Sequence, residues 1–96
     1  MFIIRNTFTA KPGMASKLAE TFKESMAKAK MKVRVVTDLV GEFNTVEMEQ
    51  EVPSLAEYEK IVKGYSEGTM DKEFRDRMKG YTDMYVTGRR EIYKVM

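Results

Sequence analysis

The spacing of apolar residues along the chain switches repeatedly between two periods. Residues 2–9 alternate apolar with polar, 14–29 repeat at helical spacing, 33–40 and 43–52 alternate, 54–85 are mostly helical, and 89–95 alternate again. Alternation sets successive side chains on opposite faces of a strand, whereas spacings of three and four gather them into one stripe on a helix. The chain therefore predicts the order β-α-β-β-α-β.

Each segment carries its own boundary signals. The first strand sets Phe2, Ile4, Asn6 and Phe8 on one face and Ile3, Arg5, Thr7 and Thr9 on the other. Lys11-Pro12-Gly13 is a turn. The helix after it carries Met14, Leu18, Phe22, Met26 and Ala29 as a stripe, with Lys28 and Lys30 where cations suit the helix dipole. A second strand over 33–40 turns at Gly41-Glu42 into a third over 43–52. Pro53 stops that strand, and Ser54 followed by Glu57 is a capping box opening the next helix. Its stripe is Tyr58, Ile61, Val62 and Tyr65. Gly64 and Gly68 bracket a break at Tyr65-Ser66-Glu67, and a further helix from about Thr69 carries Met70, Phe74, Met78, Tyr81 and Tyr85. Gly80 weakens that helix by about 1 kcal/mol relative to Ala. Gly88 resets the chain into the last strand.

In under a hundred residues this order is the ferredoxin-like split unit, a single α+β domain over 1–96. It predicts one four-stranded antiparallel sheet in the order 4-1-3-2 with its helices on one face. The helices claim the apolar side, with Phe2, Ile4, Phe8, Val33, Val35, Leu39, Val46, Met48 and Val52. The other side is mixed: Ile3, Val36 and Val40 stand beside Arg5, Thr7, Arg34, Asp38, Glu47 and Glu49. With the third strand between the first and second, Arg5 and Arg34 reach Glu47 or Glu49, pairs worth roughly 0.2–1 kcal/mol each. This face suits either water or a second copy of itself, with ion pairs setting register.

Composition removes several chemistries. Seventeen Lys plus Arg against fifteen Asp plus Glu gives a net charge of +2, which does not select for nucleic acid or an anionic membrane. The absence of cysteine excludes a disulfide frame, a thiolate metal site and a thiol nucleophile. The absence of histidine removes the usual base near neutral pH and the usual ligand of zinc or haem iron. The N-terminus has no basic leader, and no segment reaches the ~20 apolar residues of a membrane span, so a cytoplasmic protein is expected. The nine methionines are scattered, and Met14, Met26, Met70 and Met78 fall on helical stripes, so they fill the core rather than bind Cu(I). Arginines facing Glu47, Glu49 and Glu51 compete with any hard cation there. Lys28, Lys30, Lys32 and Arg34 form a small basic run, but without the aromatic platform of an RNA-binding sheet. No metal, no cofactor and no nucleic acid is expected.

Met1-Phe2-Ile3-Ile4-Arg5-Asn6, Lys11-Pro12-Gly13 before a long helix, and the ending Gly88-Arg89-Arg90-Glu91-Ile92-Tyr93 carry a family resemblance. The chain resembles the dimeric α/β-barrel superfamily, which includes the antibiotic-biosynthesis monooxygenase-like proteins. The resemblance implies a homodimer in which two sheets face each other as a barrel. It also implies that any small-molecule pocket lies within each subunit, between sheet and helices. Haem-degrading members are similar at Asn6, carrying an Asn on the first strand that faces the haem. This chain has no His and no Trp, so it departs from that pattern and haem chemistry is not expected.

Asn6 is the leading candidate for chemistry, because an amide between Ile4 and Phe8 on the apolar face has no packing role. It is either satisfied locally by backbone or water, or it lines a pocket. Asn44 and Gln50 share its side of the sheet or lie at strand ends in water. Tyr58, Tyr65, Tyr81 and Tyr85 turn toward the sheet, each an apolar body with one hydroxyl, suited to a core rim or to an aromatic ligand. The expectation is a homodimer that binds a small apolar or aromatic molecule between sheet and helices. One alternative is a cofactor-independent monooxygenase acting on a phenolic or quinol substrate, which the resemblance implies. The other is an interaction module without a ligand.

Overall fold

The computed structural model describes residues 1–68 and 71–96. Its elements are β1 (Phe2–Ala10), α1 (Ala15–Lys28), β2 (Val33–Thr37), β3 (Thr45–Val52), α2 (Leu55–Ser66), α3 (Lys72–Met78), a 3-10 turn (Tyr81–Asp83) and β4 (Tyr85–Lys94). The sheet is antiparallel in the order β2-β3-β1-β4, the ferredoxin-like arrangement the pattern predicts. Among the described residues no helix is long and apolar enough to cross a membrane.

The core follows from the stripe on α1. Leu18, Phe22 and Met26 are buried, and α1 lies over β2 and β3. Leu18 and Phe22 meet Ala10, Val46 and Met84, with Phe8, Met48, Tyr81 and Tyr85 packed around them. Burying each of the large apolar side chains contributes roughly 1.5–3 kcal/mol. Ser25 is buried on the same stripe, a polar residue the spacing alone does not mark. The Phe8 ring is held between Phe22 and Tyr85, with centroids 5.1 and 4.9 Å away. The helix α2 docks differently. Ser54 Oγ accepts from Glu57 N at 3.2 Å, as the capping box predicts, yet no residue of α2 is fully buried. Tyr58, Ile61 and Val62 are only half-buried. One helix is seated on the sheet and the other stands off it, and the space between them is the candidate site.

Five boundaries differ from the sequence pattern. The strands β2 and β3 stop short of the predicted 33–40 and 43–52, because Asp38 closes the hairpin. Its N–H donates to Thr45 O at 3.2 Å, and its Oδ1 accepts from Thr45 N at 2.9 Å. Leu39, expected on the helix-facing side, is instead 96% exposed at the hairpin tip beside Val40 and Phe43. The helix α2 runs through Gly64 and Tyr65 to Ser66, so the predicted break begins two residues late. The third helix ends at Met78, because the chain turns there: Lys79 is extended at ψ 128° and Gly80 takes a left-handed φ of +84°, the pair of conformations of a type II turn, whose third position favours glycine. Tyr81 therefore sits in a 3-10 turn and Tyr85 opens β4, which begins four residues before the predicted Arg89. Thr69 and Met70, where that helix is predicted to start, lie outside the described residues.

Candidate functional site

Strand pairing sets the floor of the site. On the helix-facing side, Asn6 of β1 lies between Met48 of β3 and Arg90 of β4, and Ile4 lies between Gln50 and Ile92. Above this floor is a cavity of about 200 Å³. Phe8, Phe22, Met26, Met48 and Met78 form much of its apolar wall, and α2 contributes Ile61 and Val62. Six polar side chains converge on it: Asn6, Gln50, Tyr58, Tyr65, Tyr81 and Arg90.

The amide of Asn6 is not left without a partner. Its Oδ1 accepts from Arg90 Nε at 2.7 Å, and the Arg90 guanidinium lies over the Tyr58 ring, 5.7 Å from its centroid. Tyr65 keeps 41% of its surface exposed, but its hydroxyl reaches inward and donates to Met26 Sδ at 3.7 Å. Burial pushes the Tyr65 phenol up to about 12, with smaller contributions from Tyr81 and Tyr58, against the lowering effect of Arg90. Burial likewise raises the Tyr81 phenol, aided by Tyr85 and opposed by Arg90. At neutral pH these two tyrosines are uncharged and can donate a hydrogen bond; they are not bases.

Five of the seven pocket residues singled out in the sequence line this cavity: Asn6, Gln50, Tyr58, Tyr65 and Tyr81. Tyr85 does not, because its ring is spent packing on Phe8 and Tyr81. Asn44 lies away from it in the hairpin, at a φ of +63°, where its carbonyl accepts from Ala10 N at 2.8 Å. Arg90 is a polar cavity residue that sequence reasoning missed. Its signal is parity: in β4 it shares a face with Gly88 and Ile92, and that face meets Phe8 and Ile4.

The opposite side of the sheet holds the charged residues that the alternation places there. Glu49 accepts from Arg34 at 2.8 Å and from Arg5 at 3.4 Å, while Arg5 Nε lies 3.1 Å from Glu47. The hydrogen bond from Arg34 does most to hold the Glu49 carboxyl below its usual range; desolvation opposes it, and Arg5 adds to the lowering. The Arg5 guanidinium also lies 5.0 Å from the centroid of the Tyr93 ring. Thr7 is only 9% exposed on this face, and its hydroxyl has no hydrogen-bond partner. Asp38, expected on this face, is taken up by the hairpin turn. A wider, more open hollow of about 630 Å³ lies at the β2 edge by Ile3, Lys32, Arg34 and Glu51, and no aromatic side chain lines it.

No protein-family model matches the chain, and no curated protein matches it. Solved structures match over nearly the whole chain. A NIPSNAP family protein from Agrobacterium tumefaciens is 9% identical with a TM-score of 0.78, covering 99% of this chain and 92% of its own. An antibiotic biosynthesis monooxygenase is 11% identical with a TM-score of 0.67, covering 100% and 99%. SnoaB, a cofactor-independent oxygenase from Streptomyces nogalater, is 10% identical with a TM-score of 0.68, covering 98% and 91%. At these identities the likeness is one of fold, and the chain has the ferredoxin-like fold of the NIPSNAP and antibiotic-biosynthesis-monooxygenase structures.

Proposed function

We propose that the protein is a homodimer whose subunits each bind a small apolar or aromatic molecule in the cavity between sheet and α2. The observation that carries this reading is the cavity itself. An apolar wall with a few convergent hydrogen-bonding groups is how proteins hold small organic molecules. The half-seated α2 supports it further, because a ligand would supply the apolar contact that the Ile61 and Val62 side chains lack from the sheet.

Pairing of two outer sheet faces is supported by two features. The hydroxyl of Thr7 is buried without a partner on that face. At the hairpin tip, Leu39, Val40 and Phe43 are 96%, 95% and 85% exposed, a cluster that water does not favour. Native mass spectrometry of freshly purified protein tests both parts. A dimer with extra mass on each subunit is the expected result and weighs the ligand directly. A bare monomer at micromolar concentration overturns the pairing, and failure of every apolar probe to bind overturns the pocket.

A second reading is a cofactor-independent monooxygenase. It is favoured by the likeness of fold to SnoaB and by neutral tyrosines able to hold a phenolic or quinol substrate. Consumption of oxygen on adding a quinol, lost in Asn6→Leu, would establish it over simple binding.

A further inference from the structure

The cavity is asymmetric in charge. Arg90 is the one ionised side chain among the described residues that line it. Its known partners are both uncharged: the amide oxygen of Asn6 at 2.7 Å and the Tyr58 ring at 5.7 Å. None of the ion pairs among the described residues involves Arg90. The nearest acid in sequence, Glu91, falls on the opposite face of the sheet, where it accepts from Arg89 and Tyr93. A guanidinium has five N–H donors in a rigid fork that fits a carboxylate, and Asn6 occupies only the donor on Nε.

The placement of the charge matters as much as its sign. Arg90 is exposed, so it stands at the mouth of the cavity, while Phe22, Met26 and Met48 line it further in. Asn6 and Tyr58 hold the guanidinium from one edge and one face, which fixes its direction before any ligand arrives. The charge is felt within the cavity, where it works against the rise of both the Tyr65 and Tyr81 phenols.

We infer that the ligand of this cavity is a small apolar carboxylic acid, bound with its carboxylate on the Arg90 fork and its body among the methionines and aromatic rings. The inference rests on the cavity being a binding site. At about 200 Å³ the space is smaller than the roughly 300–1,000 Å³ of pockets for drug-sized ligands, so the body is one ring or a short chain. Tyr81, a neutral donor, lines the same cavity and suits a ring substituent that accepts a hydrogen bond, while the Tyr65 proton is already directed at Met26 Sδ.

The test uses matched pairs, benzoate against benzyl alcohol and hexanoate against hexanol, titrated into the full-length protein at neutral pH by NMR. The wild type should bind each acid at least about tenfold more tightly than its alcohol, and added salt should weaken the acid alone. Arg90→Gln should bring that ratio to about one, and Arg90→Lys should keep part of it, as a point charge without the fork. Equal binding of acid and alcohol by the wild type, or a ratio that survives Arg90→Gln, overturns the inference and leaves the pocket standing. If no probe binds at all, the pocket reading falls and the inference with it. Should Arg90→Gln lose the alcohol as well, the salt dependence in the wild type decides: an acid-selective loss supports the inference, and none overturns it.

Discussion

Arg90 and Asn6 stand directly opposite each other on neighbouring strands and share a 2.7 Å hydrogen bond on the helix-facing side of the sheet. This pair explains why an amide sits between Ile4 and Phe8. Asn6 takes the Nε donor of a guanidinium that forms no ion pair among the described residues, and does so without neutralising it. Asn6→Leu removes the acceptor and adds apolar surface beside Met48. Losing the hydrogen bond and gaining apolar burial oppose each other, so stability should change by no more than about 1 kcal/mol. Ligand retention should fall, because Arg90 is no longer aimed. Chemical denaturation and native mass spectrometry read the two effects separately. A variant that is simply more stable and keeps its ligand would make Asn6 a tolerated amide.

Much of the fold is legible in the chain, and the reasons are local. The inner parity of β1 is unambiguous because Phe2, Ile4 and Phe8 outweigh one amide, and the same holds for Val46, Met48 and Val52 in β3. The failures come where a polar contact or a glycine overrides the apolar pattern. Leu39, Val40 and Phe43 continue an alternation that reads as strand, but the two hydrogen bonds between Asp38 and Thr45 close the turn beneath them. Periodicity registers that these residues are apolar and carries no information on what covers them. Gly80 has the same character: its cost inside a helix and its ease at φ +84° are one property, and the spacing of Met78, Tyr81 and Tyr85 hides which applies. Arg90 is only half legible for another reason. The face of a strand can be read from alternation, but its neighbour across the sheet depends on register, which no residue of β4 states alone.

Gly88 is a second place where one atom decides. A Cβ there would lie 3.1 and 3.2 Å from the Phe8 ring, closer than ordinary contact. That ring cannot give way freely, since Phe22 and Tyr85 hold it on either side. Gly88→Ala should therefore destabilise by about 1–2 kcal/mol despite its better strand propensity. The melting temperature should fall by roughly 4–8 °C per kcal/mol for a domain of this size. Phe8→Leu in the Gly88→Ala background should show positive coupling, with less loss than the two single changes added. Strict additivity would place the strain elsewhere.

The outer face predicts a response to acid. The folded-state pKa of Glu49 is depressed, chiefly by the Arg34 hydrogen bond, from a usual value of 4.5. A depressed carboxylate contributes stability that is present above the unfolded value and lost as pH falls through the folded one. Glu49→Gln should thus be less stable than the wild type at pH 7, by about 1 kcal/mol. The gap should close as the pH drops below the usual carboxylate range. Urea denaturation across that range, at one protein concentration, checks it. A gap that stays constant with pH would mean that the carboxylate's charge contributes nothing there.

The hairpin tip offers a test of the proposed pairing that leaves folding aside. Leu39 and Phe43 are 96% and 85% exposed, so within one subunit they make almost no contact for a mutation to remove. Leu39→Ser and Phe43→Ser should leave unfolding of the isolated chain within about 0.5 kcal/mol of the wild type. If the tip is covered by a second copy, the double variant should raise the dimer dissociation constant by roughly tenfold or more, since exposed aromatic and aliphatic anchors carry a large share of association energy. Sedimentation velocity over a concentration series reads this directly. Arg5→Glu is the internal contrast. Arg5 already pairs with Glu47 and Glu49 of its own sheet, so reversing its charge should cost stability within the subunit as well as weaken pairing. A tip variant that dimerises like the wild type, beside an Arg5→Glu variant that does not, would assign the contact to the charged face and leave the tip without a role in it.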